Sequence, residues 1–188
     1  MTRLALLLAS FALSGCIVIP VPESTAAKLP LAVRIGGGDQ GAIPQPRTLP
    51  ASARCTPSPE REAYGAKVIA GTNALRAAQG LPALRRSALL DAAAQAQACD
   101  NAARNALTHR GSDGSNVFTR VRGAGYPAAR ATENAGQGFT GGPEQMLAFW
   151  NASPGHRANL LDPAVTEIGF GLAQGAKPAW ILVAARPR

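Results

Sequence analysis

The sequence predicts an α+β fold: a set of helices closed by an antiparallel pair of strands, in one domain of about 130 residues with room for a single core. Three observations predict it. From about residue 59 onward, apolar side chains recur at helical spacing between helix start and stop signals. After Glu167 the period drops to two, the spacing of strands. Upstream, eight of the fifteen prolines fall between Pro20 and Pro59 around Gly36-Gly37-Gly38, and no period is sustained.

The chain opens on a leader. Arg3 gives it a positive start, and Leu4 to Leu13 form an apolar run too short for a stop-transfer helix. The run ends in Leu13-Ser14-Gly15-Cys16, which resembles the lipobox of bacterial lipoprotein precursors. The resemblance implies that residues 1–15 are removed and that Cys16 becomes the lipidated first residue. Ile17 stands where an aspartate favours inner-membrane retention in many Gram-negative species, so an outer-membrane anchor facing the periplasm is implied. Residues 16–58 are expected to be a semi-rigid, proline-rich tether, and residues 59–188 the folded domain.

Within that domain, Tyr64, Val68, Gly71, Leu75 and Ala78 line one face of a first helix that stops at Gly80. The loop Leu81-Pro82-Ala83-Leu84 leads to a second helix. Its expected N-cap is Ser87, and its expected inward stripe is Leu89, Ala92, Ala96, Cys99 and Ala103. A short third helix covers about Asn116 to Arg122 and is closed by Gly123, Gly125 and Pro127. A fourth starts with Pro143 at its first position and carries Met146, Phe149 and Trp150 on its apolar face. The chain then turns sharply into a fifth, with Ser153 as N-cap and Pro154 at the first position. Ile168, Phe170 and Leu172 alternate with Gly169 and Gly171, and Trp180 to Ala185 is continuously apolar. Both are expected strands, joined through Gln174 to Pro178.

Charge and cysteines bound the partners. The chain has 19 basic and 11 acidic residues, a net charge of +8. A basic envelope protein is drawn to anionic head groups and cell-wall polymers; arginine use in a GC-biased proteome is the equal alternative. Nucleic acid is not expected as a partner, because no aromatic-rich basic patch is visible. With Cys16 set aside, Cys55 and Cys99 remain, and an oxidising compartment argues for a disulfide between them. Two buried thiols are the alternative.

Five ordered motifs resemble the CAP superfamily, also called SCP-like extracellular proteins, in its short bacterial branch. They are Asn73…Arg76 with Gly80 to Leu84, His109-Arg110-Gly111-Ser112-Asp113-Gly114, Glu133-Asn134-Ala135, Trp150…Ser153-Pro154-Gly155-His156-Arg157, and Glu167-Ile168-Gly169-Phe170-Gly171. The resemblance implies a three-layer α-β-α sandwich with a small antiparallel sheet. It also implies a polar cleft in which His109, Glu133 and His156 converge. Thr132 stands where the family motif has glycine, and Ser153 where the eukaryotic pattern has a second glutamate.

Two imidazoles and a carboxylate are a legitimate zinc set, so the cleft residues are also the expected ligands of zinc or another divalent cation, which some family members bind. A carboxylate near a histidine is equally suited to act as a base through a water. The structural alternative is that His156 braces its turn while Glu133 caps a helix or pairs with an arginine. No serine stands in a Gly-x-Ser-x-Gly elbow, and no catalytic residue is singled out. The favoured reading is a binding module for a lipid, glycan or protein ligand. The alternative is a divalent-metal-dependent hydrolase acting on cell-wall or peptide substrates.

Overall fold

The computed structural model describes residues 55–188, so the leader, Cys16 and the tether up to residue 54 lie outside the described residues. The elements run β1 (Thr56–Pro57), α1 (Arg61–Ala77), β2 (Arg85–Arg86), α2 (Ala88–Arg104), α3 (Val117–Gly123), β3 (Ala128–Gln137), α4 (Gly142–Ala152), α5 (Pro154–Leu160), β4 (Glu167–Gln174) and β5 (Ala179–Pro187). The sheet order is β1-β4-β5-β3, and β2 adds to β4 in parallel beside β1. The remaining pairings are antiparallel. β1 pairs Thr56 with Gln174, so the sheet takes in residues upstream of the expected boundary at 59.

Helices cover both faces of this sheet, which makes three layers. On one face Ile181, Val183 and Ala185 of β5 pack with Leu90, Ala94 and Ala98 of α2 and Val121 of α3. On the other, Ile168, Phe170, Trp180 and Leu182 pack with Val68 of α1, Met146 and Trp150 of α4 and Leu160 of α5. Each large apolar side chain so buried stabilises the fold by roughly 1.5–3 kcal/mol. The period-two pattern of β4 is thereby explained, because its large residues serve one layer and its glycines the other. A Cβ on Gly169 would lie 2.2 Å from the backbone of Leu90, and one on Gly171 2.4 Å from that of Ala94. Glycine at both positions lets the backbone of α2 rest on the strand.

That close approach also finishes the sheet edge. Between β1 and β2 the middle of β4 has backbone groups without a strand partner. Asp91 accepts from the Phe170 N–H at 2.8 Å, and Gln95 both accepts from the Leu172 N–H at 3.1 Å and donates to the Leu172 carbonyl at 3.2 Å. The disulfide joins Cys55 to Cys99 with Cα atoms 5.0 Å apart, tying the start of the described chain to α2. Closing a loop of 44 residues is worth on the order of 4 kcal/mol in the chain-entropy model.

The five helices stand where the periodicity puts them, with two differences. The buried stripe of α2 is not Leu89, Ala92, Ala96 and Ala103 but Leu90, Ala93, Ala94, Gln97, Ala98, Asn101 and Ala102, and only Cys99 is common to both. Ser87 and Ser153 occupy their N-cap positions, but neither makes a side-chain cap hydrogen bond. Outside the helices, the strand β3, ten residues long, carries no period-two signal and was not expected.

The first family motif is structural. Asn73 pairs with both backbone groups of Leu84, at 3.0 and 2.8 Å. Arg76, 1% exposed, donates to the carbonyls of Pro82, Leu160 and Asp162. Together they lash the α1–β2 loop to the end of α5.

Candidate functional site

The unexpected strand carries the site. β3 is the edge of the sheet opposite β1, and its side chains alternate between the two helical layers. Glu133 pairs with Val183 and so points into the α2/α3 layer. Asn134 pairs with Leu182 and points into the α4/α5 layer. One strand thus presents a carboxylate to one layer and an amide to the other.

Glu133 is buried, with a side chain 3% exposed. Its Oε2 accepts from Arg120 Nη2 at 2.6 Å, and its Oε1 lies 2.9 Å from His109 Nδ1. Arg120 is itself 2% exposed, and it also donates to the carbonyls of His109 and Ser115 and to Ser115 Oγ. α3 puts this arginine under the glycine-rich loop, and α3 starts where it does because Asn116 Oδ1 accepts from the Thr119 N–H. The loop is turned by the Gly111 N–H donating to the Ser115 carbonyl, and by Asp113 Oδ1 accepting from the Ser115 N–H. Asp113 therefore serves the turn, as its position in the sequence suggests. Gly114, at φ +81°, takes a backbone conformation that a residue with a side chain rarely adopts.

These contacts hold His109 by its Nδ1 edge while the side chain stays 61% exposed. An ionised carboxylate can only accept, so Nδ1 carries the proton and Nε2 faces outward. The hydrogen bond to Glu133 raises the His109 pKa above the ordinary histidine value, against opposing effects of burial and of the nearby Arg120 charge.

His156 comes to the same strand from the other layer. Its carbonyl accepts from Asn134 Nδ2 at 3.0 Å, and Asn159 donates to the Glu133 carbonyl and to Asn134 Oδ1. These bonds cover part of the strand edge and fix α5 against it. The His156 ring lies 5.6 Å from that of Phe149, which lies 4.7 Å from that of Phe139. Phe149 is 40% exposed. Burial, and secondarily the charge of His109, lower the His156 pKa. Its Nδ1 is buried without a hydrogen-bond partner.

The three expected cleft residues are thus placed as a contacting pair, His109 and Glu133, with His156 tied by backbone to the neighbouring residue across the strand. They do not fit a divalent cation. Both oxygens of Glu133 are engaged, one by a guanidinium whose charge opposes that of a metal ion. Among the described residues no group of three or more His, Cys, Asp and Glu is placed to hold a metal. Glu133 pairs with an arginine, the structural alternative that the sequence leaves open.

Arg120 is the residue that sequence reasoning missed. It sits in Thr119-Arg120-Val121-Arg122 with nothing to set it apart from the exposed Arg122, and only its burial in the fold reveals it. Glu167 is two strands away and pairs with Arg85, so it is not part of the cleft. Trp150 belongs to the core, where its Nε1 donates to the Ala135 carbonyl at 3.1 Å.

The fold agrees with what the chain resembles among known proteins. Residues 69–183 match the model of the cysteine-rich secretory protein family, CAP. The chain belongs to the CAP family. It is 34% identical over 112 residues to the uncharacterized protein YkwD of Bacillus subtilis, a match covering 60% of this chain and 43% of that relative. The matched part is thus less than half of YkwD. An extracellular SCP-domain protein of Bacillus anthracis superposes with a TM-score of 0.62 at 22% identity, over 67% of this chain and 41% of that one. An outer surface protein of Borrelia burgdorferi superposes with a TM-score of 0.64 at 15% identity, over 71% of this chain and 99% of that one. At these identities the two structures bear on the fold alone.

Proposed function

We propose that this CAP protein is a binding module, held at the bacterial envelope by a lipid on Cys16, that recognises a lipid, glycan or protein ligand through its cleft. The observation that carries this reading is the way His109 is mounted. A buried ion pair fixes one edge of the ring and presents the other to solvent, and the exposed Phe149 rests on His156 from the second layer. With Nδ1–H on Glu133, the outward Nε2 accepts a hydrogen bond when the ring is neutral and donates one when it is protonated, and an aromatic face is an apolar platform. The pair suits a ligand with a hydrogen-bonding polar group beside an apolar surface. The leader supports the envelope assignment.

The test compares wild type with His109→Ala and Phe149→Ala. Binding is measured to phospholipid vesicles, soluble peptidoglycan fragments and purified envelope proteins. One class should bind wild type, and both substitutions should weaken it by about tenfold or more, as for a residue central to an interface. Wild-type affinity in both variants would move the binding surface elsewhere.

A further inference from the structure

One end of the sheet is ringed by arginines. There Glu167 pairs with Arg85 and Ala185, and Ala128 with Pro187. β1 holds Gln174 at the other end of β4, about 24 Å away at the strand rise of about 3.4 Å per residue. Arg85 on β2, Arg130 on β3, Arg186 on β5 and Arg188 after it are all exposed. Arg122 of α3, also exposed, joins them by donating to the Ala128 carbonyl at 3.3 Å, and the Arg188 N–H donates to the Pro127 carbonyl at 2.9 Å. None of these arginines contacts His109, Glu133 or His156, so this end is separate from the cleft.

Two carboxylates stand at this end, both buried and both taken: Asp162 by Arg130 and Glu167 by Arg85. Among the described residues no aspartate or glutamate reaches Arg122, Arg186 or Arg188. The register sharpens the imbalance. Arg130 and Arg186 stand directly opposite each other on β3 and β5. Like charges so placed destabilise a sheet, and Asp162 neutralises one of the two. An anion that reaches Arg186 relieves the repulsion that remains.

A guanidinium fork pairs bidentately with a planar carboxylate or a phosphate, so the partner repeats such groups across the span from Arg122 to Arg186. A lipid surface and a cell-wall polymer both do. Two observations favour the polymer. Docking on a bilayer takes a broad apolar face beside the charges. Of the exposed large apolar side chains among the described residues, only Leu89, beside Gly125, lies near this end. The chain upstream of the domain, which carries Cys16, also joins it through β1 at the opposite end, so an anchor there leaves the arginines unobstructed. We propose that the arginine end docks on peptidoglycan through the carboxylates of its peptide stems. The choice of polymer over lipid rests in part on the anchor reading above.

The experiment sediments the purified full chain, carrying Cys16→Ser so that no lipid takes part, with peptidoglycan sacculi, with sacculi whose carboxylates are amidated, and with phosphatidylglycerol vesicles. Untreated sacculi should bind it best. Binding should fade as ionic strength rises from about 0.01 to 1 M, over which the screening length falls from about 30 to 3 Å. Arg122→Gln, Arg186→Gln and Arg188→Gln together should weaken it about tenfold, as for three exposed charge contacts. Arg186→Glu, whose side chain makes no ion pair, takes their place if that variant does not fold. Arg61→Gln, Lys67→Gln and Lys177→Gln together remove the same charge elsewhere and should change binding less than about twofold. No binding to sacculi, equal binding to amidated sacculi, or an equal loss in this control set would each overturn the proposal. So would tighter binding to the vesicles that the arginine variant loses, which would assign this end to a lipid surface. His109→Ala and Phe149→Ala should leave sacculus binding unchanged, and Cys16→Ser is common to every sample. The cleft and the anchor therefore fail or stand separately from this end.

Discussion

Replacing Arg120 with methionine keeps an unbranched side chain of similar reach and removes the guanidinium. The structure makes the consequence calculable. Glu133 would be left as a carboxylate with a side chain 3% exposed and His109 as its one remaining side-chain partner. The Ser115 and His109 carbonyls would also lose a donor. Breaking a buried ion pair by removing one member typically costs about 3–5 kcal/mol, a large part of the roughly 5–15 kcal/mol that holds a domain together. Replacing both members with apolar residues is far milder, because no uncompensated charge remains. Urea unfolding at pH 7 should therefore show Arg120→Met destabilised by about 3–5 kcal/mol. Arg120→Met with Glu133→Leu should recover most of that loss. A single-variant loss below about 1 kcal/mol would refute the reasoning, since that is the range of an exposed pair. So would a double variant no more stable than the single.

Other outcomes follow from the same geometry and from the leader. Millimolar zinc should leave the unfolding temperature of the full chain unchanged, because Glu133 is already occupied; a rise of several degrees that His109→Ala removes would show a metal site. In protein taken directly from the periplasm, Cys55 and Cys99 should resist alkylation until reduced; free reaction of both would contradict the disulfide. Cys16→Ser should block incorporation of labelled fatty acid, since serine cannot form the thioether-linked diacylglyceryl group; wild-type labelling would exclude the anchor.

The helices and the last two strands were legible because their large residues face one layer each. Ile168, Phe170 and Leu172 have no alternative to burial, and the helix signals around Pro143 and Pro154 are local. α2 was legible as a helix but not as a face. Alanine occurs all round it, so apolarity marks no side, and the buried Gln97 and Asn101 are there to hold the Thr108 carbonyl. β3 was hidden for a related reason. It is an edge strand whose inward residues include Glu133 and Asn134, polar groups made tolerable by partners from α3 and α5 that lie far off in sequence. His109, Glu133 and His156 were named from motif resemblance. Their roles were not legible, because Arg120, which decides whether Glu133 holds a metal or a histidine, is announced by nothing around it.

The measurement that bears most directly on the cleft is an NMR pH titration of the two histidines in wild type and Glu133→Gln. His109 should titrate above the ordinary value near 6.5 and His156 below it. The His109–Glu133 hydrogen bond then stabilises the fold fully below pH 6.5, and that contribution fades as pH rises through the higher folded-state value. In Glu133→Gln the His109 midpoint should fall, because the neutral amide no longer favours the imidazolium. Coincident midpoints in wild type, or a His109 midpoint that Glu133→Gln leaves in place, would contradict a cleft built around that carboxylate.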